Sequence, residues 1–244
     1  MLTHIILAII QALTEFLPIS SSGHLALVSS LITTPDIFFF TILHLASLLA
    51  VLIFTWDEIK LLFTFNKKAK KLWTFLIIAT IPAALAGYYF ADIFKAAFFS
   101  KLFIGIAFLI NGFVLLITKN SKTFSKLNLK NSFAIGLAQV FAIFPGLSRS
   151  GITISTSRFL GISKSQAFKF SFLLFIPLVL GATILNFGQA YFSLSLAIAF
   201  IICLALSLVT LQLLFQILNK GKFWYFAFYS FAIGIVSLVL YFLY

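Results

Sequence analysis

Gln11-Ala12-Leu13-Thr14-Glu15-Phe16-Leu17-Pro18-Ile19-Ser20-Ser21-Ser22-Gly23-His24 is the stretch that decides how this chain is built. A short apolar segment, residues 2–17, runs into the Pro18–His24 cluster and resumes as a second short apolar piece. The same arrangement returns where the apolar segment 131–144 meets Pro145-Gly146-Leu147-Ser148-Arg149-Ser150-Gly151. Both segments fall short of the roughly 20 apolar residues that a helix needs to cross a bilayer. Short, interrupted apolar segments in corresponding places are expected to form re-entrant hairpins and to mark a binding site.

Around these two segments lie six apolar stretches long enough to span, at about 37–56, 72–91, 99–118, 166–187, 193–217 and 223–244. Of the 244 residues, 62% are hydrophobic, 9% are charged and 33 are Phe. A soluble domain is about 45–50% apolar and about 25% charged, so a soluble fold could not clothe this surface. A transmembrane barrel would need polar residues at alternate positions, which are absent. The composition therefore predicts an all-α polytopic membrane protein, with six transmembrane helices plus two re-entrant helical hairpins in one integral membrane domain, 1–244. Met1-Leu2-Thr3-His4 carries no basic leader, so a cleaved signal peptide is not expected. Cys203, the single cysteine, sits in an apolar run and can make no internal disulfide.

The 17 Lys and Arg against 5 Asp and Glu give a net charge of +12. Most of the cations lie in short loops between spans, where they set orientation and meet anionic lipid, so nucleic acid is not the expected partner. Loops 57–71, 119–130 and 219–222 are rich in Lys and are expected inside. Loops 92–98 and 188–192 are expected outside. That orientation puts both termini and the site on the external face of a plasma membrane, and it makes the hairpins 1–36 and 131–162 enter from opposite faces. An offset of 128 aligns Gln11 with Gln139, Phe16 with Phe144, Ser20 with Ser148, Ser22 with Ser150 and Gly23 with Gly151. Together these predict an inverted-topology repeat with halves of about 1–118 and 131–244.

Charged or strongly polar groups at membrane depth are costly and mark function. Glu15, His24 and Arg149 are the exceptional ones here, all in or beside the hairpin tips. Gln11 and Glu15 share a helix face, where they can ligate a hard cation, orient a water with Glu15 as general base, or satisfy backbone freed by Pro18. Ser20, Ser21, Ser22, Gly23 and His24 at a helix start offer an anion seat, and a Ser near a His is a candidate nucleophile with its proton partner. One of the serines is also expected to cap the helix. Arg149, between Ser148 and Ser150, presents a planar fork for phosphate oxygens, and it can also pair with Glu15 across the repeat axis. Thr153 and Ser155 either face the site or cap. His44, within the 37–56 span, either borders the cavity or bonds a neighbouring backbone or Ser. Asp36 reads as interfacial, and Pro82 and Pro177 are expected to kink their spans. No Cys/His metal cluster, P-loop or dinucleotide fingerprint is present.

The stretches Gln11–His24 and Phe144-Pro145-Gly146-Leu147-Ser148-Arg149-Ser150-Gly151-Ile152-Thr153-Ile154-Ser155 closely resemble the two signatures of the bacterial undecaprenyl-diphosphatases, the bacitracin-resistance family. The resemblance extends over nearly the whole chain, including Phe170-Ser171-Phe172-Leu173-Leu174-Phe175-Ile176-Pro177. It implies hydrolysis of undecaprenyl diphosphate to the monophosphate, recycling the lipid carrier of cell-wall synthesis, often with a divalent cation (Mg or Ca). It places the acidic motif on Gln11 and Glu15, the serine and histidine on Ser21 and His24, and the phosphate-binding arginine on Arg149. Ser20, Ser22, Ser148, Ser150 and Thr153 would surround the phosphates. Many members carry Glu where this chain has Gln11, which removes a negative charge and shifts acid/base work to Glu15 and His24. The expected partners are the lipid substrate, membrane lipid and a second copy in a homodimer.

Two mechanisms stay open at this level: attack by Ser21 with His24 managing the proton, or water activated directly by Glu15. Three rival readings stand beside this one. A polyprenyl-phosphate transporter or flippase would use the same anion site and the same broken helices. The type-2 phosphatidic-acid phosphatase pattern fails, because it needs a downstream His followed by Asp and the only His after His24 is His44. A structural scaffold leaves Arg149 and Glu15 at membrane depth unexplained.

Overall fold

The computed structural model describes residues 1–32, 37–186 and 193–243, so Asp36 and the 188–192 loop lie outside the described residues. The chain forms twelve helices among those residues: α1 (Leu2–Phe16), α2 (Ser21–Ile32), α3 (Ile37–Phe54), α4 (Trp56–Phe63), α5 (Lys67–Tyr89), α6 (Ala91–Phe98), α7 (Lys101–Leu116), α8 (Leu129–Phe141), α9 (Arg149–Phe159), α10 (Lys164–Asn186), α11 (Leu194–Asn219) and α12 (Phe226–Leu243). Single 3-10 turns, Ile117–Asn120 and Phe223–Tyr225, extend α7 and precede α12.

Five helices are long and apolar enough to cross a membrane: α5, α7 with its 3-10 turn, α10, α11 and α12. The sixth span differs from its expected bounds. α3 stops at Phe54, and after Thr55 the chain turns by 76° into α4. Eighteen residues in α3 rise about 27 Å, enough to cross most of a hydrocarbon core of about 30 Å. The amphipathic α4 then buries Ile59 and Leu62 and exposes Trp56 and Phe63. Pro82 and Pro177 lie inside α5 and α10, and both helices run on through them. Large apolar side chains such as Ile53, Ile77, Phe113, Ile201 and Phe242 stay exposed on the flanks, as a lipid-facing surface requires.

α1 with α2 and α8 with α9 are the two hairpins. Their helices hold only 15, 12, 13 and 11 residues, each too short to span. Helix order repeats between the halves. Moved by 128, α2 falls on 149–160, where α9 lies, and α3 falls on 165–182, inside α10; α5 falls on 195–217, inside α11. The hairpins are exchanged between halves: α1 packs on α11, and its repeat mate α8 packs on α5, the mate of α11. Two further mates, α7 with α12 and α3 with α10, pack on each other.

The hairpins enter from opposite ends, as contacts along α11 show. His4, near the start of α1, meets Ser195 Oγ at 3.0 Å beside the start of α11. Lys164 Nζ donates to the carbonyl of Asn219 at its finish. The segment leading into α8 joins that second end, where Phe124 and Ser125 N–H groups donate to the carbonyl of Gly161. The Lys-rich loops gather there too. Lys169 pairs with Glu58 of α4, and Lys119 lies over the ring of Trp224 at 4.7 Å.

The two hairpin tips are locked together at mid-depth. Ser20 adopts a left-handed backbone (φ 66°), which aims its Oγ at the N–H of Gly146 (3.0 Å) on the other tip. Gly146 is itself left-handed (φ 96°), and a Cβ there would sit 2.7 Å from Ala107 Cβ and the carbonyl of Ile104. At Gly23 a Cβ would meet the Phe108 ring at 2.6 Å and Gly146 N at 2.9 Å, so only glycine permits this approach. Asn111, buried in the middle of α7, donates to the carbonyl of Pro18 (2.8 Å) and to Ser230 Oγ (3.0 Å). Its Oδ1 accepts from the N–H of Ser148 (3.0 Å).

Candidate active site

The last two turns of α1 carry Gln11 and Glu15, four residues apart and both buried, on one face. Four side chains converge on the Glu15 carboxylate. Arg149 Nη2 donates to Oε1 at 3.1 Å, while Ser21 Oγ (2.5 Å) and Gln11 Nε2 (3.0 Å) donate to Oε2. His44 Nε2 stands 3.6 Å from Oε2. Arg149 is held further by the carbonyl of Ser171 (3.3 Å) and by the ring of Phe175, 4.1 Å beneath the guanidinium. A buried charge pair of this kind is neutralised by geometry rather than by water.

Glu15, Ser21, His44 and Arg149 floor a cavity of about 550 Å³. Ser20, Ser21 and Ser22 line it at the start of α2, and Ser148 and Arg149 line it at the start of α9. Two helix N-termini, each presenting unpaired N–H groups and the positive end of a dipole, therefore face one space. Ser148 caps α9, its Oγ accepting from the N–H of Gly151 at 3.1 Å. The walls are apolar: Phe40 of α3, Phe94 and Phe98 of α6, and Phe175, Leu178 and Val179 of α10. Lys95 and Thr183 lie toward the mouth. From Ser171, at the Arg149 floor, to Thr183 is roughly 18 Å along α10, away from the cationic end.

Gln11, Glu15, Ser21 and Arg149 are brought together, with Ser20, Ser22 and Ser148 beside them. The remaining candidates stand elsewhere. His24 folds back on its own helix, its Nδ1–H donating to the carbonyl of Ser20 at 2.7 Å. That tautomer leaves Nε2 to accept from the hydroxyl of Tyr229 at 2.7 Å, with the ring stacked on Tyr229 and edge-on to Phe108. The expected Ser21–His24 pair is therefore not formed, and Ser21 bonds to Glu15 instead. Ser150 is fully buried and donates to the carbonyl of Phe16 at 2.8 Å. Thr153 bonds to the carbonyl of Arg149 and to Ser171 Oγ, behind the site. Both brace the tips rather than line the space.

Two further residues belong to the surroundings of the site: His44, for which the sequence left two readings open, and Asn111, which it did not single out. His44 does both things left open for it, lining the cavity and donating from Nδ1–H to the carbonyl of Phe40 at 2.7 Å. Asn111 fixes the two tips, and the signal that could have found it is a strongly polar amide in the middle of an apolar span.

Glu15, with the side-chain oxygens of Gln11 and Ser21 beside it, offers the hard oxygen donors that would meet a divalent cation brought with a diphosphate. In this arrangement Arg149, Ser21 and Gln11 donate to Glu15. The oxygen of Gln11 is buried without a partner but is accompanied by no second carboxylate. Among the described residues no group of three His, Cys, Asp or Glu could hold a metal ion.

Residues 4–236 match the family described as bacitracin resistance protein BacA. An undecaprenyl-diphosphatase of Methanococcus vannielii is 38% identical over 237 residues, covering 93% of this chain and 95% of that one. Those of Thermosipho africanus and Caldicellulosiruptor bescii are 38% and 40% identical, and each alignment covers at least 97% of both chains. With the match running from the first hairpin into the last span, the chain belongs to the bacitracin resistance protein BacA family.

Proposed function

We propose that the chain is a membrane phosphatase that hydrolyses undecaprenyl diphosphate to undecaprenyl phosphate and inorganic phosphate, recycling the lipid carrier of cell-wall synthesis. The observation that carries this reading is the convergence of two helix starts, Arg149 and a Ser21–Glu15 pair on one apolar-walled cavity. A lipid diphosphate matches both parts. Its prenyl tail suits the Phe-lined wall, and its phosphates suit the floor.

The chemistry then runs through Ser21. Its hydroxyl already donates to Glu15, so Glu15 takes the proton as Oγ attacks the terminal phosphorus. The bond from that phosphorus to the bridging oxygen breaks, and its electron pair leaves with undecaprenyl phosphate. Arg149 and the helix-start N–H groups meet the charge that grows on the phosphoryl and bridging oxygens. Water then attacks the phosphoserine, and the proton held by Glu15 returns to Ser21 Oγ as inorganic phosphate forms. His24 acts at a distance in this scheme, holding the carbonyl of Ser20 and so the shape of the tip.

In the same reading the two interlocked halves work as one integral membrane domain in the plasma membrane. The cationic end lies in the cytoplasm, and the termini and cavity mouth face outside. Purified protein in detergent should release one phosphate per undecaprenyl diphosphate. A carrier that only moves the lipid would release none, and that result would overturn the enzyme reading.

A further inference from the structure

Arg149 has a counter-ion, but among the described residues the other arginine, Arg158, has none. Arg158, in the last turn of α9 at the cationic end, is 3% exposed. Among the described residues its guanidinium donates to neutral acceptors: Thr123 Oγ1 (3.0 Å) and the carbonyls of Ser121 (2.7 Å) and Ile162 (2.5 Å). The four described acidic residues each pair elsewhere, Glu15 with Arg149, Asp57 with Lys60, Glu58 with Lys169 and Asp92 with Lys95. A buried charge without an opposite charge is costly unless something supplies one.

Holding the 121–125 segment in place does not require that charge. The N–H groups of Phe124 and Ser125 both donate to the carbonyl of Gly161 at 3.0 Å, and the Phe124 ring closes over Gly161 so tightly that a Cβ would lie 2.7 Å from it. What Arg158 does border is a second cavity of about 330 Å³, with Lys122 and the amide of Asn120 on its polar side. Ile117, Phe124 and Phe159 form the other side, and all three are exposed. A phosphate between the two cations would leave hydrocarbon chains against those three side chains. Basic pockets between helices, open to the interface, take anionic headgroups in this way.

We propose that Arg158 and Lys122 form a phosphate-binding site at the end of the molecule opposite the mouth of the catalytic cavity. An anionic phospholipid is the occupant that the apolar flank favours, and free inorganic phosphate shares the same chemistry. The site is independent of the hydrolytic reading, since none of its residues touches the catalytic cavity.

The test titrates phosphatidylglycerol, phosphatidylcholine or inorganic phosphate into the detergent-solubilised full chain, with bound lipid read by native mass spectrometry and anion binding by the shift in thermal unfolding. Wild type should retain phosphatidylglycerol in preference to phosphatidylcholine. Lys122→Gln should weaken that retention about fivefold and Lys122→Glu by more, as expected for losing one interfacial cation. Lys122 is exposed, so both variants keep the fold, and hydrolysis in phosphatidylcholine-only micelles should be unchanged. Stabilisation by inorganic phosphate that vanishes in Lys122→Glu, without lipid preference, would make the free anion the occupant of the same site. Equal lipid and phosphate responses in wild type and Lys122→Glu would overturn the proposal.

Discussion

Glu15 sits 8% exposed among a guanidinium, an amide, a hydroxyl and an imidazole, and the balance between those partners assigns its work. The Arg149 bond holds the carboxylate in place, and the Ser21 bond gives it a proton to take. Glu15→Gln keeps the size and removes the base, so turnover should fall by about 10²–10⁴-fold. Gln11→Ala removes one donor to the same oxygen and should cost no more than about tenfold, near the strength of a single charge-assisted bond. Steady-state phosphate release from the two purified variants orders them, and a larger loss at Gln11 would contradict the assignment. Glu15 and Arg149 were readable in the sequence because ionised groups at membrane depth need a reason. The direction of His24 was not, because it depends on a carbonyl four residues back and on Tyr229, 205 positions away.

The hairpins, at the next scale, are held by few bonds, and Asn111 makes two of them, with a third to Ser230 of α12. It joins the carbonyl that ends one tip to the N–H that begins the other helix, so it sets the distance between Ser21 and Arg149 without touching either. Asn111→Leu leaves the Pro18 carbonyl and the Ser148 N–H unpaired in a buried place, at about 1–3 kcal/mol each. A shift of about 1 Å between nucleophile and phosphate grip is enough to lower kcat about 100-fold. Thermal unfolding and steady-state kinetics of Asn111→Leu in detergent should show both losses, and kcat near wild type would remove Asn111 from any positioning role. Hairpin existence was legible from the broken apolar runs and their Pro and Gly residues. The clamp was not, because a span's length and hydropathy do not say which of its faces meets a tip. The turn after Thr55 escaped for a similar reason, since residues 37–56 read as one apolar run whether or not its last turn bends.

Charge sorts the whole molecule into two ends. Lys119, Arg158, Lys164 and Lys169 meet through contacts with Trp224, Ser121, Asn219 and Glu58, so the loops grouped by their cations also lie together in space. At the other end Asp92 and Lys95 stand on α6, with Lys95 lining the catalytic cavity. Positive loops stay in the cytoplasm, so the cationic end should be inside and α6 outside. The chain offers a clean background for testing this, since its only cysteine, Cys203, is fully buried and should not react with a bulky maleimide. Asp92 and Lys68 are exposed positions at opposite ends. In intact cells a membrane-impermeant maleimide should label Asp92→Cys directly and Lys68→Cys only after permeabilisation. The opposite pattern would place the cavity mouth in the cytoplasm and would require the lipid diphosphate to be hydrolysed on the inner leaflet.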